Sequence, residues 1–241
     1  MDPKSVAAGR AVTWFSCGWN IFMKSPGMWV LIAVVIGVLA AVLKSVSLGR
    51  YVLLLFAPAI GAGLLYGAAE IRAGQPLGLA YVAQGFRDQA KLVQLIVLGV
   101  VALGVAVVSR ATEGVFLADL MSASSEDLLT GAVRPSPMAL LALLFILTLQ
   151  LIATLLLFYA VPLVIFRDAP AVAAMQSSAR ACLRNILPLF LFSVIYSGIL
   201  IIVGGLAGIL GRFGLLLPAV VLLPWTIGII YCSYEDVYAS T

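Results

Sequence analysis

The sequence predicts an all-α integral membrane protein. Six transmembrane helices are expected as three helical hairpins, each preceded by an amphipathic interfacial helix. Three observations predict it. Of 241 residues, 63% are hydrophobic and only 10% are charged, where a typical soluble domain carries about 25% charged residues. Several apolar runs are long enough for a helix to cross a bilayer, which takes roughly 20 residues. A pair of polar or cationic residues four positions apart also recurs three times, each time ahead of an apolar run. Barrel strands would read instead as about ten residues of alternating polarity, and a backbone in lipid must otherwise satisfy its amides within its own helix.

The elements follow in order. The segment Met1 to Lys24 is polar or amphipathic and lacks an A-x-A-like site, so no cleavable signal peptide is expected. Spans are expected at 28–43, 51–69, 92–108, 138–166, 189–210 and 213–234, within a single transmembrane domain covering 1–241. The first and third are short and are expected to gain length from the segments before them. The fifth and sixth nearly merge, and "LGRFG" (210–214) is the only turn signal between them.

Charge sets the orientation. Nine of the fourteen Lys and Arg fall at the N-terminus, between spans two and three, or between spans four and five. Lys44, Arg50, Arg110, Arg134 and Arg212 fall on the other side. The positive-inside rule then puts both termini in the cytoplasm. Cys17, Cys182 and Cys232 lie near that reducing side, so no disulfide is expected. The longest connection, about 109–137, falls outside. Within it "SSED" (124–127) can start a short helix, with Ser124 as cap.

The repeat is carried by three stretches. "SARACLRNILPLF" (178–190) holds Arg180 and Arg184, "GFRDQAKLVQLI" (85–96) holds Arg87 and Lys91, and "GWNIFMKSPGMW" (18–29) holds Asn20 and Lys24. A small residue stands two positions ahead of each pair: Gly18, Gly85 and Ser178. The chain thus reads as three units of about 8–70, 77–166 and 171–236, each an amphipathic helix followed by a hairpin. Lys24, Arg87, Lys91, Arg180 and Arg184 are the candidate residues for lipid headgroups or a protein partner. The plainer alternative is that they only set topology.

Chemistry is sparse. Histidine is absent, which removes the commonest proton shuttle and metal ligand. The cysteines lack metal-ligand spacing. The centres of the six spans carry no charge, so a proton pump or voltage sensor is not indicated. Asp168, Glu235 and Asp236 could meet on the cytoplasmic side, but no spacing requires it. No catalytic residue, metal or cofactor is expected, and the cations beside apolar runs argue for membrane lipids over nucleic acid. Pro58, Pro162, Pro218 and Pro224 fall inside spans and tend to kink them. Two functions remain. The first is a non-enzymatic accessory or scaffold protein that meets lipid headgroups or a cytoplasmic partner. The alternative is a small transporter or lipid-handling protein with a cavity between proline-kinked hairpins.

"VPLVIFRDAPAVAAMQSSARACLRNILPLF" (161–190), "YCSYEDVY" (231–238) and "GFRDQAKLVQL" (85–95) resemble an uncharacterised family of multi-pass proteobacterial inner-membrane proteins. The likeness lies in Arg-Asn-x-x-Pro, matched by Arg184, Asn185 and Pro188, and in a closing Tyr-x-Ser-Tyr-x-Asp, matched by Tyr231, Ser233, Tyr234 and Asp236. Glu235 stands where the family pattern has a basic residue, and Tyr238 where it has phenylalanine. The resemblance implies location and topology, and no activity.

Overall fold

The computed structural model describes residues 2–123, 130, 134–209 and 216–238. Among these, secondary structure is helical throughout: α1 (Arg10–Lys24), α2 (Pro26–Lys44), α3 (Gly49–Arg72), a 3₁₀ helix (Leu79–Phe86), α4 (Gln89–Phe116), α5 (Ala118–Ser122), α6 (Pro137–Leu157), α7 (Ala160–Arg167), α8 (Ala171–Arg184), α9 (Ile186–Ile209) and α10 (Leu216–Tyr238). Six stretches are long and apolar enough to cross a membrane: Pro26–Lys44, Gly49–Arg72, Gln89–Phe116, Pro137–Arg167, Ile186–Leu206 and Val220–Tyr238. This is a multi-pass membrane protein. Large apolar side chains stand exposed along α2, α6 and α9, for example Val38, Leu144 and Ile201, as surfaces that face lipid must.

The boundaries differ from the expected ones in two instructive places. The first span gains only Pro26 and Gly27 from the segment before it, because Pro26 starts α2 as a separate helix after Ser25. The third span takes in Gln89 to Lys91 from the segment before it and grows further at its far end, running on to Phe116. The expected cap at Ser124 and the turn at 210–214 lie outside the described residues. The segment around Arg87 is also not one continuous helix. The 3₁₀ turn ends at Phe86, and Asp88 caps α4 by accepting hydrogen bonds from the Ala90 and Lys91 N–H groups. Arg87 and Lys91 therefore sit on different elements.

The three shorter elements α1, the 3₁₀ helix and α8 meet the spans in a regular way. α1 packs on α10, the 3₁₀ helix on α3, and α8 on α6 and α7. At each meeting the small residue singled out above touches main chain. A Cβ on Gly18 would lie 2.7 Å from the Ile229 nitrogen, and one on Gly85 would lie 2.0 Å from the Ala59 carbonyl oxygen. Ser178 is fully buried between α6 and α7. The span 137–167 breaks at Phe158 and Tyr159, where Pro162 cannot give an N–H to the Phe158 carbonyl. Ser178 bridges the break: its hydroxyl accepts from the Tyr159 N–H at 3.0 Å and donates to the Leu155 carbonyl at 2.8 Å. One side chain thus stands in for the missing helical hydrogen bond between Leu155 and Tyr159.

Candidate functional site

Midway along the spans, α3, α4, α6, α7 and α10 surround a cavity of 480 Å³. This is within the size of small-molecule pockets, roughly 300–1,000 Å³. Two prolines help to make it. Pro58 lies inside α3 and withholds the N–H that the Leu54 carbonyl would accept, and Pro162 follows the break in the span 137–167. Gly61 lines the same space, and a Cβ built there meets nothing within 4 Å. The polar groups on the wall, Gln150 and Thr154, are exposed residues that each make one hydrogen bond within the protein. The Gln150 amide donates to Ser109 Oγ at 3.5 Å, and the Thr154 hydroxyl donates to the Gln150 carbonyl at 2.8 Å. What the cavity offers an occupant is therefore hydrocarbon-like surface.

A second cavity, of 450 Å³, lies where α1 crosses α10. Arg10 grips Asp236 with two nitrogens, and the Trp14 indole donates to the same carboxylate at 2.8 Å. That carboxylate raises the Arg10 guanidinium above its ordinary range through the hydrogen bond and the attraction between the charges. Arg72 pairs with Glu235 at 2.8 Å and also donates to Cys17 Sγ at 3.2 Å. Cys17 and Cys232 form a disulfide, contrary to the expectation of free thiols. The cause is geometric. Gly18 and Gly228 let the two backbones touch, which brings these cysteines to a Cα–Cα distance of 6.3 Å across 215 residues of sequence. Cys182 is a free buried cysteine, and burial pushes its thiol up to about 11.

The five cations predicted as site residues separate into two groups. Lys24, Lys91 and Arg184 donate to main-chain carbonyls: Lys24 to Ile71 at 3.2 Å, Lys91 to Ile165 at 2.9 Å and Arg184 to Pro3 at 2.7 Å. The first two acceptors are equivalent. Each stands three residues before a residue with positive φ that ends its helix, Gly74 at 84° and Asp168 at 52°, so a lysine neutralises each exposed helix terminus. Arg87 and Arg180 are exposed, and the Arg180 side chain reaches only the Gln176 carbonyl of its own helix.

The motif residues also find partners. Asn185 ties down the N-terminal segment, accepting from the Val6 N–H and donating to the Lys4 carbonyl, both at 2.8 Å. In the closing motif, the Tyr231 hydroxyl donates to Glu235 and Asp236 holds Arg10. Of the three carboxylates that could have met, Glu235 and Asp236 both line the second cavity and Asp168 does not, and each pairs with its own cation, Asp168 with Lys91, Glu235 with Arg72 and Asp236 with Arg10. Among the described residues no His, Cys, Asp and Glu group could hold a metal ion. Two features escaped the sequence reading: the cysteine pair, and the main-chain carbonyls that wait for Lys24 and Lys91. The left-handed ends at Gly74 and Asp168, each followed two residues later by a proline, were the available signal for the second. No family model, no curated protein and no solved structure matches this chain, so its own geometry carries the functional reading.

Proposed function

We propose that this chain is a non-enzymatic lipid-handling protein of a bacterial inner membrane. It would hold the apolar part of a membrane lipid in the cavity between its kinked spans. The observation that carries this is the 480 Å³ cavity, whose wall is mostly apolar, with Gln150 and Thr154 as polar groups that each donate one hydrogen bond to a neighbouring residue. Of the two functions open from the sequence, the cavity favours the lipid-handling one. Arg87 and Arg180 are the cations left to meet headgroups or a partner on the α1 side, while Lys24, Lys91 and Arg184 fasten the chain to itself.

The architecture that suits this role is three hairpins joined in a ring, α2–α3, α4 with α6–α7, and α9–α10, each preceded by an interfacial helix. Its support is the recurrent contact of surface helix with span and of Gly18, Gly85 and Ser178 with main chain. Both termini lie in the cytoplasm on the nine-to-five distribution of Lys and Arg, as the family resemblance also implies. In that compartment thiol systems act against disulfides, so the Cys17–Cys232 bond of the structure would there be the oxidised form of a pair that opens on reduction and closes again under oxidation. Non-reducing gels of cells treated with a thiol oxidant should show a faster-migrating species that is lost on reduction and absent in C17S. A species that is fully bonded without oxidant would move the termini to the oxidising face.

The cavity is tested with Gly61→Phe, whose Cβ meets nothing within 4 Å and whose ring would take up space in the cavity. Lipid retained by the purified protein, counted by mass spectrometry, should fall at least severalfold. Gly37→Phe supplies the control, since Gly37 is exposed on α2 and its Cβ also meets nothing within 4 Å. Equal retention in the two variants would refute the proposal.

A further inference from the structure

The cavity does not end at the middle of the bundle. A neighbouring chamber of 340 Å³ shares Leu54, Ala57 and Ala106 with it and continues toward the end of the molecule where α2 stops, α3 starts and α4 nears its own end. The wall stays mostly apolar, but cationic side chains now contribute to it through their aliphatic stems. Lys44, Arg50 and Arg110 line the outer chamber together with Tyr51. Arg50 lies over the Tyr51 ring at 4.6 Å and donates to its hydroxyl at 2.7 Å. Arg110 pairs with Glu113 at 3.2 Å, an exposed pair on one helix, and leaves most of its guanidinium open. Lys44 and Arg50 have no carboxylate partner among the described residues.

Two joined apolar chambers, the outer one bordered by three cationic side chains, match an amphiphile of opposite charge. Resting on the lipid-handling reading above, we infer that the bound molecule is a membrane lipid with an anionic, phosphate-bearing headgroup. Its tail runs into the inner chamber and its phosphate sits among Lys44, Arg50 and Arg110. Complementarity of charge selects the headgroup class. Arg50 and Arg110 present planar forks suited to phosphate oxygens, and Lys44 adds a point charge. A zwitterionic lipid satisfies the inner chamber equally well but brings a cation to the outer one, where like charges repel. Specificity therefore lies in the mouth, and retention lies in the cavity.

The experiment uses the full-length protein in a neutral detergent, exchanged into equal amounts of phosphatidylglycerol and phosphatidylcholine, with bound lipid counted by native mass spectrometry. The wild type should prefer phosphatidylglycerol by roughly tenfold or more, as three nearby cations imply, and the preference should fall in high salt. The K44Q/R50Q/R110Q variant should lose that preference while holding the same total lipid. All three side chains are exposed, so the fold should tolerate the change, and R50Q alone should show a partial loss. An unchanged preference in the triple variant, or no preference in the wild type, overturns the inference and leaves the cavity reading intact. Displacement of phosphatidylglycerol by millimolar inorganic phosphate would assign the mouth to a free anion instead and also overturns it. Gly61→Phe reports separately: it should lower both lipids together, and its failure to do so removes the cavity reading itself.

Discussion

Ser178→Ala should lower the stability of the folded protein by roughly 2–6 kcal/mol, because a buried main-chain group left without a partner costs about 1–3 kcal/mol and this substitution orphans two. The Ser178 hydroxyl serves both the Tyr159 N–H and the Leu155 carbonyl. Ser178, Tyr159 and Ala160 are all buried, so water cannot replace it. The break that needs bridging is fixed by Pro162, which alanine at 178 does nothing to relieve. Unfolding in mixed detergent micelles, followed by circular dichroism, measures the loss. Ser193→Ala is the control, since its exposed hydroxyl only donates back to the Leu189 carbonyl of its own helix. If the two variants unfold alike, the bridging role is wrong.

Gly99→Ala and Gly104→Ala should move stability in opposite directions, although both glycines lie in α4. Intrinsic helix propensity favours alanine over glycine by about 1 kcal/mol. At Gly104 nothing stands within 4 Å of the new methyl, so the propensity acts alone and the variant should gain up to that amount. At Gly99 the methyl carbon would sit 1.9 Å from the Leu55 carbonyl oxygen and 2.8 Å from its carbon. The obstacle is main chain and has no rotamer to change. α3 and α4 must separate, at a cost of roughly 1–3 kcal/mol or more. Thermal melting of the two variants beside wild type decides it. A neutral Gly99→Ala would mean that α3 and α4 are not in contact there.

How much of this was legible in the sequence depends on the range of the physics. The spans were legible because length and apolarity act locally, and all six stand among the described helices. Their ends were less so. Pro26 and Asp88 set boundaries that hydropathy does not register. The recurrence of Gly18, Gly85 and Ser178 was visible as a pattern of small residues. That Ser178 works through its hydroxyl was not, since Leu155 and Tyr159 lack each other only because Pro162 breaks the helix. Lys24 and Lys91 were read as charges toward lipid because counting cations cannot see a carbonyl 47 or 74 residues away. Cys17 and Cys232 failed for the same reason, with 215 residues between them. The cavity was half legible: Pro58 and Pro162 announced kinks, but the mouth formed by Lys44, Arg50 and Arg110 draws on three helices.

The packing of α1 on α10 has a bearing on how the molecule is made. α1 is synthesised before all six spans described here, yet the surface that receives Ala11, Trp14, Phe15 and Gly18 is built by α9 and α10. The ribosome must add everything from Ser25 through Tyr238 before that surface exists, roughly 10 to 40 s at about 5–20 residues per second. For that interval Ala11, Trp14 and Phe15 lack the partners that bury them in the finished fold. A chain cut before α9 would leave this side of α1 uncovered.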